Sequence, residues 1–301
     1  MSIRFYCGIN EKVWNYHPVS PGDYACVVPV IGAKEGKRKE NRVHVPNGVK
    51  VIQDSGAFCD SNNERLSFSD AYIRQVTHAE KHRYADNITH RASYDLLIDE
   101  KWIDGRRIKS RWNEKDAWKA TYETINAGKY LYDIEKDYRL VLSGQGVSVE
   151  QYILCAKELA PLLNDKDIFG LGGWCILGIK KNILRDSFRA IMKSVIPYLS
   201  VMKVKNVHIW GSLYAPAIGE LLWLCDKYGL NLSTDSAGPQ MRPCFGSWGY
   251  ADWTNKTYCR PETDIRGQER ARHVLDVIRW LKNFRETKYY KSPYTNEKWR
   301  I

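Results

Sequence analysis

Val51-Ile52-Gln53-Asp54-Ser55-Gly56-Ala57-Phe58 is a short β-branched run that stops at a carboxylate and passes directly into Ser and Gly. Leu230-Asn231-Leu232-Ser233-Thr234-Asp235-Ser236 is built the same way. A strand that ends on an acidic residue and a small-residue turn is where parallel-barrel enzymes place their reacting groups. Two such ends in one chain predict two aspartates, Asp54 and Asp235, that share one reaction centre.

Working outward from these ends, short β-branched or aromatic runs alternate with longer helical patterns. That rhythm belongs to repeated βα units around a parallel sheet. Strands are predicted at Ile3 to Cys7, Val49 to Gln53, Leu96 to Ile98, Arg139 to Ser143, Ile168 to Leu171, Val207 to Trp210 and Leu230 to Thr234. Helices are predicted at 69–84, 114–127, 149–163, 185–198, 217–228 and 264–284. Ser148 with Gln151 three residues later reads as a capping box at a helix start. An eighth strand is not evident, and the Gly-, Trp- and Pro-rich segment from Pro239 to Thr263 is the place left for it. The expected fold is a (β/α)8 TIM barrel, one domain over residues 1–301 with basic loop insertions.

The chain has 301 residues, 44% of them hydrophobic, and a formal charge of +11. A cationic surplus of that size attracts polyanions, with nucleic acid the natural partner and mere solubility the plain alternative. The first residues lack the apolar core of a secretory signal and no apolar run is long enough to span a bilayer, which predicts a cytoplasmic protein without a membrane partner. Eight cysteines scattered over apolar segments and loops predict reduced thiols rather than a disulfide framework.

Two stretches break the βα rhythm. One is the basic loop around Lys37 and Arg38; the other interleaves Arg106, Arg107, Lys109 and Arg111 with Trp102, Trp112 and Trp118. Cations can neutralise phosphates while indoles stack on unpaired bases. Arg242, Trp248, Trp253, Lys256 and Arg260 extend the same chemistry beyond Asp235. Tryptophans packed inward against a barrel are the competing explanation.

Side chains just past the strand ends of a closed barrel point into a common mouth. This places Asp54, Asp99, Gln145, Gly172, Gly173, Gly211 and Asp235 around one pocket. Two carboxylates facing a glycosidic carbon can divide nucleophilic attack from proton transfer, while a third, with a carboxamide and exposed N–H groups, can read a purine edge. Asp95 competes with Asp99 for that third place, but its position within an apolar run puts it before the mouth.

In these residues the chain resembles the tRNA-guanine transglycosylase superfamily, and more closely the branch that inserts 7-deazaguanine bases into DNA. The family's Asp-Ser-Gly-Gly-Phe is met by Asp54-Ser55-Gly56-Ala57-Phe58, its Phe-Asp-Glu by Ile98-Asp99-Glu100, and its Gln-Gly-Gly by Gln145-Gly146-Val147. Its paired glycines are met by Gly172-Gly173, its sixth strand end by Trp210-Gly211-Ser212, and its nucleophile segment by Ser233-Thr234-Asp235-Ser236. All six occur in family order over residues 50–240. Ala57, Val147 and Ser236 depart from the pattern.

The resemblance implies base exchange by double displacement, with Asp235 as nucleophile and Asp54 as general acid and base. It also implies guanine recognition by Asp99, Gln145 and the Gly173 N–H, with Ser55, Gly172 and Gly211 completing the binding set. The implied partners are double-stranded DNA with a flipped-out guanine nucleotide and a 7-deazaguanine base such as preQ0; tRNA is the alternative substrate. Members of this branch are often encoded by bacterial viruses. The family's structural zinc cluster is not present as such. Cys244, Cys259 and His273 fall in the corresponding region, but the two cysteines lie fifteen positions apart and a fourth ligand is lacking, so free thiols are favoured over zinc. No cofactor is required for the chemistry. A carbohydrate-directed barrel glycosidase using Asp54 and Asp235, and a non-catalytic nucleic-acid-binding protein, are the rival readings.

Overall fold

A computed structural model describes residues 3–8, 25–28, 43, 45–57, 60, 65–96, 101–103, 106–108, 114–173, 182–236, 250–251, 258–259, 275 and 277–294. Eight strands form a closed parallel ring: β1 (Arg4–Gly8), β2 (Ala25–Val28), β3 (Lys50–Gln53), β4 (Ile88–Ala92), β5 (Arg139–Gly144), β6 (Ile168–Leu171), β7 (Asn206–Ile209) and β8 (Asn231–Ser236). Each pairs with its sequence neighbours, and β8 pairs with β1 to close the ring. Helices α1 (Phe68–Lys81), α2 (Glu114–Ile134), α3 (Val149–Leu159), α4 (Asn182–Val201) and α5 (Ala215–Tyr228) follow β3 to β7 in turn. The chain is a (β/α)8 TIM barrel.

Two strands lie elsewhere than the sequence reading placed them. The missing strand is Ala25–Val28; the Pro239 to Thr263 segment contributes, among the described residues, only the short antiparallel pair Tyr250–Ala251 and Tyr258–Cys259. Ala25-Cys26-Val27-Val28 runs into Pro29 and the basic Lys34 to Arg42 stretch rather than into a helical pattern, so the βα rhythm does not mark it. The strand expected at Leu96 to Ile98 is instead Ile88–Ala92, with Leu96 beyond it. Ile88-Thr89-His90-Arg91-Ala92 escapes notice because Arg91 and His90 are polar, yet both are buried. The register of β4 against β3 shifts by one residue at Thr89, whose hydroxyl donates to Val51 O at 3.0 Å. That shift turns Arg91 toward the helices.

Local caps hold the helices where the strands need them. Ser67 accepts the Asp70 N–H at 3.1 Å to start α1, and Ser148 accepts the Gln151 N–H at 3.3 Å to start α3. Gln151 reaches back to the Val147 N–H at 2.7 Å, one residue before the cap, a variant of the expected box. Gly229, at φ 74°, ends α5 in the left-handed region.

Alternation along the strands sorts side chains into two separate cores. Outward-facing Phe5, Val51, Leu142, Phe169, Ile209 and Leu232 pack under the helices. Inward-facing Tyr6, Val27, Ile52, Ala92, Val141 and Ile168, with Trp210 against them, fill the barrel itself. Between β4 and α2, Arg91 pairs with Glu135 while its guanidinium lies 5.1 and 4.8 Å from the rings of Tyr72 and Tyr138. Glu135 also accepts the N–H groups of Asp137 and Tyr138 at 2.8 and 3.1 Å.

Truncating Glu135→Ala leaves the Arg91 charge buried and should cost about 3–5 kcal/mol in urea unfolding. Replacing both partners with apolar residues should cost clearly less.

Candidate active site at the barrel mouth

Asp54 is the first residue after β3. Its N–H donates to Val28 O at 2.9 Å, and Gln75 of α1 donates to its carbonyl at 3.2 Å and to Ala92 O at 3.0 Å. One helix carboxamide thereby fixes the ends of β3 and β4 together. The Asp54 Oδ1 accepts the Ser55 N–H at 2.7 Å, and Gly56, at φ 79°, makes the turn that follows. Ser55 is buried with its hydroxyl accepting the Ala57 N–H at 3.3 Å, and Arg74 holds the Ser55 carbonyl at 2.9 Å.

Asp95 lies three residues past β4, and its side chain accepts a hydrogen bond from the Gln145 carboxamide. Arg65 donates to the backbone carbonyls of Asp95 and Tyr94 at 2.9 and 3.1 Å and stacks over the Tyr94 ring. Gln145 is fully buried. Its room depends on Gly172, where an added Cβ would sit 2.9–3.0 Å from the Gln145 side chain. The Gly172 N–H donates to Gly144 O at 3.0 Å, and Gly173 takes φ 84° at the end of β6.

Asp235 closes the circle from β8. Its Oδ1 receives the Gly211 N–H at 2.6 Å, presented by a turn with Gly211 at φ 65°, and lies 3.1 Å from His208 Nε2. Its side chain remains 17% exposed, which leaves it reachable from the mouth.

The electrostatics tie the three carboxyls into one site. Asp54 is enclosed by protein on most sides, and this burial, then the charges of Asp95 and Asp235, push its pKa up to about 7. Burial also raises Asp95, against the pull of the Gln145 hydrogen bond and the Arg65 charge. The arrangement offers a carboxyl that holds a proton near neutrality, facing a second that is braced by a backbone amide.

Of the residues singled out from sequence, Asp54, Ser55, Gln145, Gly172, Gly173, Gly211 and Asp235 all stand at the C-terminal ends of the barrel strands. Asp99 lies outside the described residues, as do Lys37, Arg38, Arg111, Arg242, Lys256, Arg260, Cys244 and His273. Arg106 and Arg107 fall in the antiparallel pair Lys101–Ile103 and Arg106–Ile108, and Cys259 in the pair described above. Among the described residues no group of three or more His, Cys, Asp or Glu side chains is placed to hold a metal ion. Cys7, Cys155 and Cys225 are buried, and none of the three is in a disulfide. No described helix is long and apolar enough to cross a membrane.

His208 and Gln75 were not singled out from sequence, and Asp95 was weighed only as a rival to Asp99. Asp95 was ranked below Asp99 because β4 was placed too late; with the strand ending at Ala92, Asp95 is at the mouth rather than beneath it. The signal for His208 was its place two residues before Trp210-Gly211 on an inward-facing position.

No protein-family model matches this chain, and no curated protein matches it significantly in sequence. Among solved structures, an L-ribulose 3-epimerase shares 11% identity over 95% of this chain and 96% of that one, with a TM-score of 0.39. Endo-glycoceramidase II from Rhodococcus sp., solved as a lactosyl-enzyme intermediate, shares 10% identity over 78% and 73%, with a TM-score of 0.35. Likeness at this level carries no argument about the site.

The raised Asp54 pKa has a consequence for stability. The unfolded carboxyl ionises near 4 and the folded one near 7. Between these values the native state binds the extra proton, so stability falls as pH rises through that window. Asp54→Asn should therefore melt higher than wild type at pH 8, with the advantage shrinking toward pH 4; thermal unfolding across that range checks the sign.

Proposed function

We propose that this chain is a base-exchanging transglycosylase that replaces guanine in DNA with a 7-deazaguanine base through a glycosyl ester on Asp235. The observation that carries the reading is the meeting of Asp54 and Asp235 at one mouth, at the ends of β3 and β8, where burial first and then the charges of Asp95 and Asp235 raise the Asp54 pKa. Two carboxyls at one mouth, one of them holding a proton near neutrality, are what a retaining displacement at an anomeric carbon requires. The order of the strand-end motifs supports guanine as the base, and the +11 charge supports a polyanionic substrate.

Asp235 Oδ2 attacks C1′ as the C1′–N9 bond breaks, and Asp54 delivers its proton to the departing base. The incoming base then loses its N9 proton to Asp54 and displaces Asp235, so configuration is retained. Asp95 accepts hydrogen bonds from the purine N1–H and exocyclic amine, the role the sequence resemblance assigned to Asp99. Gln145 holds Asp95 in place. Duplex DNA must present the nucleotide flipped out, at a cost of a few kcal/mol that basic and aromatic contacts offset.

The test is incorporation of radiolabelled guanine into DNA and into tRNA by the purified chain. DNA labelling is expected; labelling of tRNA alone overturns the DNA assignment. Asp235→Ala should lower turnover by roughly 10⁴-fold or more while leaving DNA binding in a gel-shift assay intact. Exchange that persists in that variant removes Asp235 as nucleophile.

A further inference from the structure

His208 is a fully buried histidine inside the barrel, directly below the mouth. Its Nδ1 lies 2.9 Å from Ser233 Oγ and its Nε2 lies 3.1 Å from Asp235 Oδ1. Two rings clamp it edge-on, Tyr6 at 5.7 Å and 77° and Trp210 at 4.4 Å and 71°. Trp210 is itself held by its Nε1–H donating to Ser143 Oγ at 2.9 Å. That contact needs Gly170, where a Cβ would come within 2.6 Å of both Ser143 Oγ and Trp210 Nε1. The imidazole is therefore fixed in place from Ser143 inward.

We infer that His208 is a positioning residue that holds Asp235 for attack, an inference that rests on the base-exchange reading above. Both ring nitrogens are engaged, so neither is available to a substrate proton, which excludes a direct acid or base role. Asp235 Oδ1 already accepts the Gly211 N–H at 2.6 Å, so the Nε2 facing it carries a proton and donates. In the neutral ring Nδ1 accepts a hydrogen bond from the Ser233 hydroxyl; with both ring nitrogens protonated, Nδ1 donates to Ser233 Oγ while that hydroxyl donates to Val207 O at 3.2 Å. Either form keeps the bridge to Asp235.

Two donors on Oδ1 leave Oδ2, which has no hydrogen bond among the described residues, as the attacking oxygen. An Oδ2 lone pair forms the bond to C1′ while the C1′–N9 pair leaves with the base, which Asp54 protonates. Oδ1 becomes the carbonyl oxygen of the ester and keeps the Gly211 and His208 N–H contacts. When the incoming base attacks C1′, the electron pair returns to the carboxylate and the same two donors receive its charge.

The experiment has a spectroscopic arm and a kinetic arm. In long-range ¹H–¹⁵N spectra of chain labelled at histidine, with the His208 signal assigned by its loss in His208→Gln, Nε2 should be protonated and should shift in Asp235→Ala. An unprotonated Nε2, or a signal indifferent to Asp235→Ala, overturns the inference. In the guanine-exchange assay His208→Leu should lower kcat by about 10²-fold with KM unchanged, since the nucleophile is misplaced while the binding groups stay. His208→Gln, whose amide N–H reaches the same place, should restore most of the loss. Equal losses in the two folded variants overturn the positioning role. Absence of exchange in the wild-type chain beside an intact Nε2 bridge would overturn the functional reading alone.

Discussion

Closure of the strand ring is the constraint from which the mouth follows. β2 pairs with β1 on one side and β3 on the other, and its last residue, Val28, takes the Asp54 N–H at 2.9 Å. Without that strand the sheet would have two edges, and Asp54 would lose the backbone bond that aims it inward. Closure also fixes parity. Once Ile52 faces the interior, Asp54 does too, just as Ser233 brings Asp235 round to the same side.

Gathering Asp54, Asp95 and Asp235 at one mouth is electrostatically unfavourable, and the surrounding structure offsets it locally. Each carboxyl accepts at least one hydrogen bond close to its own strand end, from the Ser55 N–H, the Gln145 amide and the Gly211 N–H respectively. The backbone around them is held by side chains from outside the strands: Gln75 and Arg74 from α1, and Arg65 from the segment before it. Arg74 is in turn held by Asp60 through bonds of 2.8 and 3.0 Å. Stability comes from the outer core under the helices, which is separate from the barrel interior, so the site can carry polar groups without dismantling the fold.

The barrel interior is graded along its axis. Near the N-terminal end His90 is buried, bonded to Lys166 O at 3.0 Å, and pushed by burial down to about 4, so it stays neutral. An apolar layer from Tyr6 to Ile168 follows. Above it sit His208, Trp210 and the carboxyls.

Alternating apolar runs and helical patterns were sufficient to read a parallel barrel and six of its strands, because period-2 and period-3.6 signals are local. The strand ends at Asp54 and Asp235 were legible for the same reason: a carboxylate beside Ser and Gly marks where a strand stops. Ala25–Val28 runs into Pro29 rather than into a helical pattern, and Ile88–Ala92 was masked by His90 and Arg91, which bond to partners 38 to 76 residues away. Asp95 and His208 belong to the site through contacts with Gln145 and Asp235 across other strands, 50 and 27 positions distant. No local pattern encodes such pairings. They exist because ring closure and inward parity bring separate strand ends to one point, and that is a property of the folded chain.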